Sequence, residues 1–173
     1  MNRARPTTLL ALLLLAALVP WGINAAPPDK AELPTAKEAR GQARLLHEAL
    51  HATLHVVHLE YYREDEGLAI PAATLKKVFR ELASSQKVEL HWLAVNAQAM
   101  NTDHQPRNDF EKQAVEALSA GKDEFERVDN GIYQRASAIT LSSDCLKCHA
   151  PTRSSNKDKV AALVISLPIA KPE

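Results

Sequence analysis

The chain has 173 residues, 21 Lys and Arg balanced by 21 Asp and Glu, and a formal net charge of +0. That balance supplies no basic field to hold nucleic acid and no pull toward an anionic membrane. Beyond an N-terminal leader, about 150 residues remain, enough for one domain with a real core.

The first residues read as a leader. Arg3 and Arg5 form a short positive region. Leu9 to Val19 is an apolar run without a charge, and Pro20 breaks it. Ile23-Asn24-Ala25 then offers small residues for cleavage, so residues 1–25 are expected to be a secretory signal peptide. The run is too short for a membrane span of about 20 residues. An uncleaved anchor is the alternative reading, and both place the remainder on the exported, periplasmic side. Residues 26–38 carry Pro27, Pro28 and Pro34 among mixed charges and read as a linker. The domain is expected over residues 39–170, with no stable membrane span once the leader is removed.

A long helix is expected from about Ala36 to Arg63. Leu46, Leu50, Leu54, Val57 and Tyr61 recur at helical spacing and mark a buried face. His47, His51, His55 and His58 form a second stripe, rotated from the first by roughly a quarter turn at about 100° per residue. His47 and His58 fall closest to the apolar face and His55 farthest from it. Gly67 and Pro71 end the unit. A second helix covers Ala72 to Ser85, with Leu75, Val78, Phe79 and Leu82 inward. Val88 to Val95 alternates and is rich in strand formers. A connection follows from Asn96 to Asn108, then a third helix from Asp109 to Ala120, closed by Gly121. Glu124–Val128 and Ile132–Ile139 flank Asp129-Asn130-Gly131, a strong hairpin signal. Val160 to Ile169 reads as the last strand. Helices first, then strands interrupted by one helix, predict an α+β domain with a mostly antiparallel sheet.

Between the last two strands lies Cys145-Leu146-Lys147-Cys148-His149. The pattern C-x-x-C-H is the attachment signature of haem c: two thiols add to two vinyl groups and the adjacent imidazole meets the iron. A thioredoxin-like pair would sit in a βαβ pattern that is missing around it. A zinc site would need further ligands nearby, and none follows in the next residues. The chain's 2 Cys are both consumed by this reading, so one covalent haem is expected. Ser142, Ser143 and Asp144 would cap a short helical turn at the motif.

With these elements in place, the chain resembles the periplasmic c-type haem domains with a PAS-like fold, known as stand-alone haem proteins and as sensor modules. The resemblance covers about Arg40 to Ile169. It rests on the long helix before the sheet, on Asn101 to Glu111 with Pro106, Phe110 and Glu111, and on the hairpin running from Tyr133 into His149. It implies a PAS-like fold, one haem against the sheet and the long helix, and His149 as proximal ligand. It also implies redox or ligand-sensing roles. Some relatives use a third Cys on the early helix as distal ligand, and this chain has none.

The sixth position therefore falls to another residue, to water or to nothing. The residue candidates are His47, His51, His55, His58, His91, His104 and Met100. His58 is the first choice, near the apolar face and followed by Tyr61 and Tyr62. His55 and His51 come next, and Met100 is the rival outside that helix. Arg135, on the strand before the motif, is a candidate partner for a haem propionate, since its fork matches a carboxylate. Trp92 and Tyr133 read as core or haem-edge aromatics.

Electron transfer is the expected function, with a redox protein as partner. The alternative is a redox or gas sensor whose exchangeable site takes a small diatomic ligand. A peroxidase-like enzyme would need acid-base groups beside an open iron site, and the spacing does not demand them. A homodimer is left open, since the sequence does not reveal whether the long helix dimerises.

Overall fold

The computed structural model of the chain describes residues 32–63, 65–97, 101–149 and 159–171, apart from the side chains of Asp144 and Cys148. The leader, residues 26–31 of the linker, and Met100 lie outside the described residues. No helix among those described is long and apolar enough to cross a membrane.

Helix α1 runs Ala36–Glu60. Its start is set by a capping box: the Thr35 hydroxyl accepts from the Glu38 amide at 3.3 Å, and the Glu38 carboxylate accepts from the Thr35 amide at 2.8 Å. Residues Ala36 to Glu38, read as linker from their position after the prolines, are thus its first turn. The helix stops at the Tyr61 C-cap, short of the expected Arg63. Helix α2, Pro71–Gln86, begins on a proline at its first position, where the missing N–H has no intrahelical acceptor to lose.

Strand β1 (Glu89–Ala94) is followed by a 3-10 turn at Thr102–His104 and by helix α3 (Asp109–Ser119). Strands β2 (Glu124–Asp129) and β3 (Ile132–Thr140) form the expected hairpin. Asn130 and Gly131 both take positive φ, 50° and 74°, as a two-residue turn of this hand requires. Helix α4, Ser143–His149, holds the C-x-x-C-H residues, and β4 (Val160–Pro168) closes the chain.

The four strands form one antiparallel sheet in the order β1-β4-β3-β2. The last strand in sequence therefore lies inside the sheet, and residues on both its faces are buried. Leu163, Ile165 and Leu167 join Trp92, Phe79 and the α1 residues Ala39, Ala43 and Leu50 in one core. Ala162 and Val164 join Phe110, Ala114 and Leu118 of α3 in a second. The fold is α+β and PAS-like, with α1 and α2 over one face of the sheet and α3 over the other.

Along β3 the alternation sends Tyr133, Arg135, Ser137 and Ile139 to the α1 side. Arg135 is only 6% exposed. It pairs with Glu124 and, at 3.2 Å, with Glu126 of the neighbouring strand, and its Nε donates to Ser137 Oγ at 2.7 Å. Arg40 and Arg44 of α1 grip the same two carboxylates at 2.7 and 2.8 Å, and the Tyr133 hydroxyl donates to Glu126 at 2.7 Å. Burial alone would raise the Glu126 carboxyl. The hydrogen bonds from Tyr133 and Arg40 and the guanidinium charges outweigh it and hold that group below the usual carboxylate range. Burial and the bond to Glu126 push Tyr133 up to about 12.

Candidate functional site

A cavity of about 450 Å³ opens at the opposite end of the sheet, beneath the C-terminal half of α1. Its size falls within the roughly 300–1,000 Å³ of ligand and cofactor sites. The space exists because small residues from several elements meet there: Ala72 and Ala73 start α2, Ala94 ends β1, Ala97 follows it, and Ala161 and Ala162 begin β4. Ile139 and Leu141 close the β3 side. Trp92 forms part of the wall, fixed by its indole N–H donating to the Ala72 carbonyl at 3.0 Å and by the Phe79 ring at 4.9 Å. Leu59 and Ile70 also line the cavity, yet they are 44% and 48% exposed. Large aliphatic side chains left open beside an apolar cavity mark a place where further apolar surface is to be covered.

The sequence-predicted residues divide sharply. Cys145 and His149, the first and last residues of the motif, both line the cavity. The Ser142 hydroxyl sits 3.3 Å from Cys145 Sγ, and the Leu146 amide donates to the Ser142 carbonyl at 3.0 Å, so Ser142 opens the helical turn that carries them. His51, His55 and His58 line the cavity from α1, and the His58 ring lies against Tyr62 at 5.1 Å. His47 belongs to the same stripe but not to the cavity; it is buried toward the sheet, and burial pulls its pKa down. Met100, the rival distal ligand, falls outside the described residues.

Arg135 is a correction. It does not line the cavity, and its guanidinium is committed to Glu124, Glu126 and Ser137. Arg135 pairs with Ile165 on β4, whereas the cavity begins at Ala161. Four residues of strand separate them, roughly 13 Å. The carboxylates that Arg135 recognises are those of its own hairpin.

Two wall residues carry weight that the sequence reading did not give them. Lys76 of α2 is the one Lys or Arg among the described residues lining the cavity, and its ammonium lies 3.5 Å from the Asp103 carboxylate. Its signal was its helical register, one turn after Ala72. His104, on the 3-10 turn, also lines the cavity, and burial pushes its pKa down to about 4, with Lys76 and the imidazoles of His91 and His149 acting in the same direction. At neutral pH His104 is thus an uncharged imidazole with a lone pair to offer.

Known proteins bear on this arrangement. A family model described as Tll0287-like matches residues 30–164. The fold is similar to that of a solved crystal structure, the cyanobacterial haem protein Tll0287, with a TM-score of 0.62 and 16% identity. That likeness covers 79% of this chain and 98% of the other. No curated protein matches the sequence. With the family model spanning most of its length, from before α1 into β4, the chain belongs to the Tll0287-like family.

Proposed function

We propose that this protein is an exported monohaem c-type electron carrier, with the haem attached through Cys145 and Cys148 and its iron bound by His149. One observation carries the reading: Cys145 and His149 open on the same apolar cavity, under a row of α1 imidazoles. The residues present fit the group. A porphyrin needs a flat apolar slot, and alanines from three elements leave that space. Its covalent linkage needs thiols at the rim, each adding across a vinyl double bond with its hydrogen going to the neighbouring carbon. Its iron needs axial nitrogen donors, which the cavity wall offers. The similar cyanobacterial protein is a haem protein, which supports haem binding here.

Bound there, a haem supplies a one-electron iron couple. The chain does the rest. α4 fixes the spacing of thiol and imidazole, while Trp92, Ile139 and Leu141 exclude water from one side. Leu59 and Ile70 become covered. Lys76, the cation on the cavity wall, would take the role first given to Arg135 and balance the charge of a propionate.

Lys76→Met is therefore expected to lower the reduction potential by roughly tens of millivolts, because a cation that favours the reduced state is lost and Asp103 is left uncompensated. The shift should shrink as salt is raised, since Lys76 is partly exposed. A redox titration of both proteins checks it; equal potentials at low salt remove Lys76 from the site.

The carrier reading is tested by optical spectra of oxidised, reduced and carbon-monoxide-treated protein made with a haem c maturation system. It predicts a low-spin spectrum in both oxidation states that carbon monoxide leaves unchanged. A rapid shift on adding carbon monoxide would replace the carrier by the gas-sensing alternative.

A further inference from the structure

Helix α1 is apolar on two sides. Its buried residues are Ala39, Ala43, His47 and Leu50. On the far side, about 150° round the helix, Leu45, Ala49, Ala52 and Val56 are all exposed, Leu45 by 74% and Val56 by 51%. A helix at the surface of a lone domain turns charged and polar residues away from its core; one that is apolar on both sides has a second neighbour. These four stay exposed in the folded chain, so no described element supplies that neighbour.

The spacing says what the neighbour is. Leu45, Ala49, Ala52 and Val56 follow one another at alternating steps of four and three residues, the repeat by which two helices pack side by side. Leu59 continues the repeat but stands on the cavity rim. Bulky residues lie at the two ends and alanines at the centre. Two copies of α1 laid antiparallel, about a two-fold axis between Ala49 and Ala52, put Leu45 of each against Val56 of the second copy. Ala49 then meets Ala52, and the helices close together at the middle. The same register sets Glu48 of each copy opposite His55 of the second copy, a carboxylate facing an imidazole on both flanks of the seam. Both residues are exposed. Antiparallel helices also place their dipoles favourably. Gly41 fits the same arrangement. It sits inside α1, where Gly is among the least favourable residues, and a Cβ there would meet nothing within 4 Å. Its own chain gives no reason for the missing side chain. In the antiparallel register it lies near the C-terminal end of the second copy's helix, where a small residue permits close approach.

We propose that the outer face of α1 is an interface between two copies of this chain, packed antiparallel through Leu45, Ala49, Ala52 and Val56. The contact is self-complementary, so association stops at two. A seam from Leu45 to Val56 is roughly 16 Å long. That is short for a permanent interface, and the dimer is expected to dissociate in the micromolar range. The haem plays no part in the assignment, so the two readings stand or fall separately.

The test is analytical ultracentrifugation of the exported, mature chain from about 1 μM to about 1 mM. Wild type should pass from monomer to dimer. Leu45→Glu and Val56→Glu each place a carboxylate in the seam. Each should raise Kd by at least about 30-fold with unchanged circular dichroism, since both residues are exposed in the monomer. Leu45→Ala, which only trims the seam, should weaken the dimer in the same direction and serves if a glutamate variant misfolds. Glu48→Lys should raise Kd roughly 3–10-fold, and less at high salt. In a parallel pairing Glu48 would meet Thr53 instead, and that substitution would be silent. Gln113→Glu adds the same charge as the seam variants on exposed α3, across the sheet, and should leave the dimer unchanged. A wild type that stays monomeric at the highest concentration overturns the proposal, whether the seam is open or covered by the leader of its own chain. A dimer that the seam variants leave intact overturns it too. A dimer broken by them but indifferent to Glu48→Lys overturns the antiparallel register.

Discussion

His149→Ala is expected to lose the low-spin spectrum of the mature protein and most of its haem. Outer-shell partners of a metal ligand are already worth about 10–100-fold in affinity, so removing the ligand itself costs at least as much. His149 has no substitute within α4, the other residues of which are Ser143, Asp144, Cys145, Leu146, Lys147 and Cys148. Haem content per polypeptide, measured on purified protein after maturation, should fall by about tenfold or more. Exogenous imidazole should restore part of the spectrum in whatever fraction still carries haem. A His149→Ala protein with wild-type haem content and an unchanged spectrum would move the proximal ligand elsewhere.

Arg135→Leu is expected to damage the fold and spare the haem. Removing one member of a buried ion pair typically costs about 3–5 kcal/mol. The low end applies, because Glu124 keeps 32% of its side chain exposed and water screens part of the loss. About 3 kcal/mol corresponds to roughly 6–12 °C in the thermal midpoint of a domain this size. The pH dependence has a definite sign. Glu126 is held below the usual carboxylate range in the folded state. Its stabilisation is complete above that range and is lost as pH falls through the folded value. The gap between wild type and variant should therefore be widest near neutral pH and narrow in acid. Thermal melts at neutral and acidic pH, with a redox titration alongside, decide the matter. A near-neutral melt unchanged by the substitution, with a displaced reduction potential, would put Arg135 back beside a propionate.

That correction shows where the sequence was legible and where it was not. The Asn130-Gly131 turn was evident, and with a two-residue loop the register follows: Asp129 opposite Ile132, hence Glu126 opposite Arg135. Counting along the hairpin would have placed a carboxylate across from the guanidinium before any haem was invoked. The helix was read in part: periodicity alone put His47 inward and His55 outward, as α1 has them, whereas Tyr61, expected on the buried face, lies at the helix C-cap and is 71% exposed. The four strands followed from strand-forming runs and the Asn-Gly turn, and the mostly antiparallel sheet from the order of helices and strands.

His104 was harder to rank. It stood among the candidates, but it lies in an irregular connection where no period assigns a face. Its turn is tied to β1 through the Asp103 carbonyl, which accepts from His91, an arrangement that depends on tertiary packing. The cavity was equally hidden. Alanines spread from residue 72 to residue 162 read as unremarkable in each segment, and only their convergence leaves a slot.

The most direct test of the account is the intact mass of the mature chain after export through a haem c maturation pathway, with thiol alkylation under denaturing conditions. The account predicts the mass of the polypeptide plus one haem, and no alkylated sulfur at Cys145 or Cys148. A colourless chain with two alkylated thiols would contradict it.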